Sequence, residues 1–212
     1  MSPAVVLIVV LALLGAGCGS ATRHPTAGPQ LVTFGHSYVS GRQPDRAVTP
    51  WPDRVGQALG LQVDNRGVGG SESPQTLDLV RDYEPDRQDT VVIQCVLNDA
   101  LRHGRAGVAA WRQRVDAMLT HLRPAVAADH ILLVLDAPTG GPYEPAAPGE
   151  PFTTVLRLYA DAGRELARQH GVRVVDLAPG WDTGRDISED GLHPSEAGTQ
   201  RIAERVAAAL TP

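Results

Sequence analysis

Leu31-Val32-Thr33-Phe34-Gly35-His36-Ser37-Tyr38-Val39-Ser40-Gly41 is the stretch on which the reading of the fold turns. Leu31–Phe34 is a short apolar, β-prone run. Gly35 breaks it, and His36 and Ser37 follow at once. A strand that stops at a glycine presents the next hydroxyl at its C-terminal end, the edge at which open α/β sheets bind ligands. An ordinary strand–loop turn would carry a serine equally well, so the stretch alone leaves both readings open.

A second stretch near the other end of the chain supplies what such a serine would need. Ser188-Glu189-Asp190-Gly191-Leu192-His193-Pro194-Ser195-Glu196-Ala197-Gly198 sets an aspartate three residues before a histidine, with a glycine between. That spacing lets the carboxylate fold back onto the imidazole. A histidine held in one tautomer by a carboxylate is the general base for a serine nucleophile. Ser195 also reads as a helix N-cap, which would seat the pair on the loop before the last helix.

Between these ends, strands alternate with helices. The strands are read as Leu31–Phe34, Leu61–Asp64, Thr90–Val96, His130–Asp136 and Val172–Leu177. The helices are read as Trp51–Gly60, Ser73–Arg81, Gly104–Ala128, Phe152–His170 and Pro194–Leu210. Tyr38–Pro50, Asn65–Gly70, Ala137–Pro151 and Ala178–Asp190 are read as loops, and Leu97-Asn98-Asp99 as the end of the third strand. Val108, Trp111, Val115, Met118, Leu119 and Leu122 share one helical face, as do Val155, Leu156, Leu158, Tyr159, Leu166 and Ala167. Alternation of this kind predicts a parallel sheet covered on both faces, a three-layer α/β/α sandwich. Glycine-loop N–H groups after the second strand and the Asn98 amide after the third are the kinds of donor that stabilise an oxyanion.

Composition bounds the rest. The chain has 212 residues, 42% hydrophobic and 20% charged, with a net charge of -5. This suits one globular domain. Cationic and acidic residues are interspersed, so no basic stripe points to nucleic acid. No Cys/His spacing matches a metal site, and neither metal nor organic cofactor is expected. Cys95 lies in the most apolar strand and reads as a buried thiol.

Residues 1–21 read as a signal peptide rather than part of the fold. Ala4–Gly17 is uncharged and apolar, and small residues precede Cys18. The pattern resembles a bacterial lipoprotein signal, cleaved before Cys18 and lipidated on its thiol; plain secretion is the alternative. The run is shorter than the roughly 20 residues that span a bilayer. Residues 22–30 form a linker, and 31–212 the folded domain, expected to be monomeric and extracytoplasmic, with membrane association through the N-terminal lipid.

Four blocks together resemble the SGNH hydrolases, also called GDSL esterases and lipases. The family's Gly-Asp-Ser-Leu corresponds to Gly35-His36-Ser37-Tyr38, its glycine block to Asn65–Gly70, its Gly-x-Asn-Asp to Val96-Leu97-Asn98-Asp99, and its Asp-x-x-His to Asp190-Gly191-Leu192-His193. His36 and Val96 depart from the family's Asp and Gly. The resemblance implies a five-stranded, flavodoxin-like sheet of order 2-1-3-4-5. It implies a Ser37, His193 and Asp190 triad, and an oxyanion hole from the N–H groups of Ser37 and Gly70 and the Asn98 side chain. It also implies cleavage of carboxylic or thioester bonds in small-molecule, lipid or carbohydrate substrates. An acyltransferase on the same triad and a catalytically silent binding protein are the alternatives. Consecutive residues at a strand end face opposite sides, so His36 is set aside as the base and its removal is expected to leave activity largely intact. Arg42 and Arg46 follow the nucleophile block and could favour an anionic substrate.

Overall fold

The computed structural model describes residues 28–41, 48–140 and 150–211. Cys18, the signal segment, most of the linker, Arg42 and Arg46 lie outside them. Five strands form one parallel sheet in the order β2-β1-β3-β4-β5. They are β1 (Gln30–Gly35), β2 (Gln62–Gly67), β3 (Thr90–Gln94), β4 (Ile131–Leu135) and β5 (Arg173–Asp176). The sequence explains the order. β3 and β4 are nearly all apolar and almost wholly buried, as strands covered on both faces must be. β2 and β5 carry Asp and Arg and take the edges.

The main helices are α2 (Trp51–Leu59), α3 (Ser73–Arg81), α5 (Val108–Leu122), α6 (Phe152–His170) and α8 (Glu196–Leu210). α2 packs on α8 over one face of the sheet; α3, α5 and α6 pack side by side over the other. Trp111, Val115, Met118, Leu119 and Leu122 of α5 are buried, as are Val155, Leu156, Tyr159, Leu166 and Ala167 of α6. Val108 and Leu158 are only partly covered. Gly163 admits β4 so closely that a Cβ there would lie 2.5 Å from the Leu135 side chain. The Trp111 indole N–H donates to the Cys95 carbonyl (2.8 Å), and Cys95 itself is a buried thiol.

Several boundaries differ from the sequence expectation. Three short helices stand where loops or a strand end were expected: α1 (Ser37–Ser40), α4 (Leu97–His103) and α7 (Thr183–Asp186). β2 runs on through Asn65, Arg66 and Gly67, so the glycine loop begins only at Val68. The helix expected from Gly104 starts at Val108, after a 3-10 turn, and ends at Leu122. Short helices and strand extensions draw their stability from neighbours rather than from local periodicity, which is why pattern alone missed them.

β1 lies between β2 and β3: the chain passes from β1 to β2 on one side, then crosses back to β3 on the other. Open α/β sheets place ligand sites at such a switch point. Gly35 is level with Gly67 on one side and Gln94 on the other. At φ +152, a Cβ on Gly35 would lie 2.0 Å from the Gln94 carbonyl oxygen. Gly35→Ala is therefore expected to lower stability by about 3 kcal/mol, through strain and overpacking together, as read from the urea midpoint.

Candidate active site

Gly35 turns the chain out of β1, and Ser37 becomes the first residue of α1. The β2–α3 loop is fastened to this turn. The Gly35 carbonyl accepts from the Val68 N–H (2.8 Å) and the Ser71 hydroxyl (3.1 Å). A Cβ on Gly67 would meet the Ser40 nitrogen at 2.5 Å, so the end of β2, from which the loop springs, lies directly on α1. Gly70 follows with φ +74, and its N–H bonds no other described residue.

The third block is clamped onto the same loop. Asn98 Nδ2 donates to the Ser71 carbonyl (2.8 Å), which leaves its second amide hydrogen free of that bond. The Asp99 carboxylate accepts from the Ser73 N–H (2.7 Å) and hydroxyl (2.5 Å). Burial pushes the Asp99 carboxyl up, and the Ser73 bonds partly offset this. Glu72, between them, pairs with Arg102 and His103. Three successive residues, Ser71, Glu72 and Ser73, are thus held by α4. Val96 sits at φ -95, ψ -48, so this position requires no glycine.

The last block arrives from the far end of the chain. His193 Nε2 lies 3.0 Å from Ser37 Oγ, and His193 Nδ1 lies 2.6 Å from Asp190 Oδ2. Asp190 also accepts from the N–H groups of Leu192 (2.9 Å) and His193 (2.9 Å) and from the Ser188 hydroxyl (2.7 Å). Partial burial alone would raise the Asp190 carboxyl; these donors outweigh it and bring it down to about 2. With the carboxylate on Nδ1–H, Nε2 is bare and accepts from the Ser37 hydroxyl. Ser195 does cap the following helix, taking the Gly198 N–H (3.1 Å).

His36 is turned away from this line. Its ring is fully buried, and Nδ1 accepts from the Tyr38 N–H (3.4 Å), capping α1. The ring proton is then on Nε2, which donates to Asp136 Oδ2 (3.0 Å). Asp136 also takes the Gln94 amide (2.7 Å) and the N–H groups of Val96 (3.1 Å) and Leu97 (2.9 Å). Gln94 in turn accepts from the Trp51 indole (2.9 Å). Both imidazole nitrogens are occupied, in agreement with His36 not being the base. Removing His36 would take one of four donors from a buried carboxylate and uncap α1, a cost to stability. Asp136, Gln94, Tyr38 and Ser71 were not singled out from the sequence. A carboxylate closing an otherwise apolar strand was the signal for Asp136.

The fold and this geometry define a class: a doubly wound α/β protein with serine, histidine and aspartate in hydrogen-bonded line at the C-terminal edge of a parallel sheet. Within that class, the GDSL-like lipase/acylhydrolase family model matches residues 33–201, and the chain belongs to that family. An acetylxylan esterase of Xylanibacter ruminicola is 26% identical over 207 residues, covering 85% of this chain and 43% of that protein. The chain therefore spans less than half the length of this relative. A lipolytic protein of the G-D-S-L family from Veillonella parvula has a TM-score of 0.68 at 15% identity, covering 85% of this chain and 97% of that one. An acetylxylan esterase from Geobacillus stearothermophilus has a TM-score of 0.68 at 17% identity, covering 88% and 95%. At these identities the two structures speak to the fold. Among the described residues, no group of three or more His, Cys, Asp or Glu side chains is arranged to hold a metal ion.

Two predictions test the electrostatics. His36→Asp restores the family's residue yet sets a second carboxylate into the buried surroundings of Asp136. It should be less stable than His36→Asn by about 2 kcal/mol near pH 8 in urea unfolding, the gap narrowing towards pH 5 as one carboxyl takes up a proton. Asp190→Asn should cost about 2 kcal/mol near neutral pH. Because the folded carboxyl lies near 2 against an ordinary 3.8, the wild-type advantage is complete above about pH 4 and is lost as pH falls towards 2. Urea midpoints across that range check it.

Proposed function

We propose that the protein is a serine esterase that cleaves carboxylic or thioester bonds through an acyl-enzyme on Ser37. The observation that carries this reading is the unbroken line from Ser37 Oγ through His193 to Asp190, at 3.0 and 2.6 Å. In the proposed reaction the Ser37 hydroxyl attacks the ester carbonyl as His193 Nε2 takes its proton. Asp190 keeps Nδ1 protonated and stabilises the imidazolium. Negative charge gathers on the carbonyl oxygen, which the N–H groups of Ser37 and Gly70 and the second amide hydrogen of Asn98 would bind. Each such donor is typically worth ~3 kcal/mol of barrier. His193 then protonates the leaving alcohol. Water, deprotonated by the same nitrogen, attacks the acyl-enzyme and regenerates Ser37.

A silent binding protein has no use for a bare imidazole nitrogen aimed at a serine hydroxyl, so the geometry favours the enzyme. Membership of an acylhydrolase family and similarity to an acetylxylan esterase support a small acyl group, acetyl first, on a carbohydrate hydroxyl. Trp181 is the one Phe, Trp or Tyr ring among the described residues that is not buried, so a wide sugar-stacking surface is not part of this proposal. Lipidation of Cys18, part of the same proposal, would tether the site outside the cytoplasmic membrane.

Residues 22–212 should hydrolyse p-nitrophenyl acetate and butyrate, and Ser37→Ala should lower kcat by about 10⁴-fold or more while remaining folded. Equal, trivial rates in both proteins would overturn the reading.

A further inference from the structure

Resting on the esterase reading, one question is left open by the geometry: what holds His193 against Ser37? The two residues are 156 positions apart in the chain. Asp190 cannot do it. It belongs to the same tight turn as His193, so it orients the ring within the turn and moves with it. The other bonds of this segment are equally internal. The Ser188 N–H donates to the His193 carbonyl (2.8 Å), and just outside the turn its two flanks are joined by the Ser195 N–H to the Asp186 carbonyl (2.9 Å). Residues 188–193 are thus a rigid unit whose placement against the nucleophile must come from outside it.

Among the described residues, two polar contacts join this unit to α1. One is the His193–Ser37 bond itself. The other is made by Tyr38, whose hydroxyl donates to the Leu192 carbonyl, one residue before the histidine. We propose that Tyr38 is a positioning residue, a strut that fixes the distance between the general base and its nucleophile. Its own placement is firm. The side chain is 3% exposed, its N–H is taken by His36, and its ring stands edge-on to the His36 ring at 4.9 Å. The ring also lies beside His193, with centroids 6.3 Å apart. The residue next to the nucleophile therefore carries the base loop. Only a protonated phenol can donate to a carbonyl. Burial, reinforced by the Asp136 and Asp190 carboxylates, pushes the Tyr38 phenol well above its ordinary range and keeps it a donor.

Tyr38→Phe tests this, since it keeps the ring and removes the hydroxyl. Three quantities are read beside wild type and Ser37→Ala: steady-state kinetics on p-nitrophenyl acetate, the rate of covalent labelling by a fluorophosphonate, and the thermal midpoint. The expected result is a kcat lower by about tenfold, a KM within about twofold, and labelling slowed in proportion to kcat, because a displaced base activates Ser37 poorly whichever electrophile is offered. The thermal midpoint should move by no more than about 3 °C. A kcat and labelling rate equal to wild type would overturn the strut, as would a loss of activity matched by a large fall in midpoint. A wild-type protein labelled no faster than Ser37→Ala would overturn the esterase reading first, and this inference with it.

Discussion

A single buried carboxylate, Asp136, ties the site to the sheet. It closes β4, and it accepts from His36, from the Gln94 side chain and from two successive backbone N–H groups after β3. A carboxylate without solvent needs all of these donors, and each donor needs it. The result is a knot joining the C-terminal ends of β1, β3 and β4. The nucleophile turn leaves β1 through this knot, and the loop carrying Asn98 leaves β3 through it. Moving either would leave a buried charge or a buried N–H without a partner. The rigidity that the proposed role of Ser37 requires is therefore supplied from behind, by groups that would not touch substrate.

The departure at position 36 is intelligible in these terms. An aspartate there could cap α1, but so can the imidazole Nδ1. The histidine adds a second nitrogen that reaches Asp136. The bond joins two residues 100 positions apart in the chain. The same economy appears at position 96, where a right-handed helical conformation makes glycine unnecessary.

Most of the fold could be read from the chain because punctuation and periodicity agreed. Phe152–His170 is bounded by Pro151 and Gly171 and carries a clean inner face, and the helix has those limits. β3 and β4 were plain from their apolar runs. The arrangement of Ser37, Asp190 and His193 was legible because its chemistry is written in short local blocks. What escaped was long-range. α1 and α4 are one or two turns long and depend on His36 and Asp136 for their starts. The extension of β2 to Gly67 is imposed by pairing with β1. The Tyr38–Leu192 bond joins residues 154 apart and leaves no trace in either neighbourhood.

Ser37 follows β1, the first strand of the sheet, and the turn carrying His193 precedes the last helix. Synthesis from the ribosome would thus deliver Ser37 long before His193. Contacts of such high sequence separation form late, after their loop entropy has been met by the rest of the sheet. A nascent or truncated chain carries Ser37 without its His193 partner. On the proposed esterase reading, the chemistry would switch on only when α8 docks against α2 and brings the turn home, so that reactivity at Ser37 would itself be a mark of a completed fold.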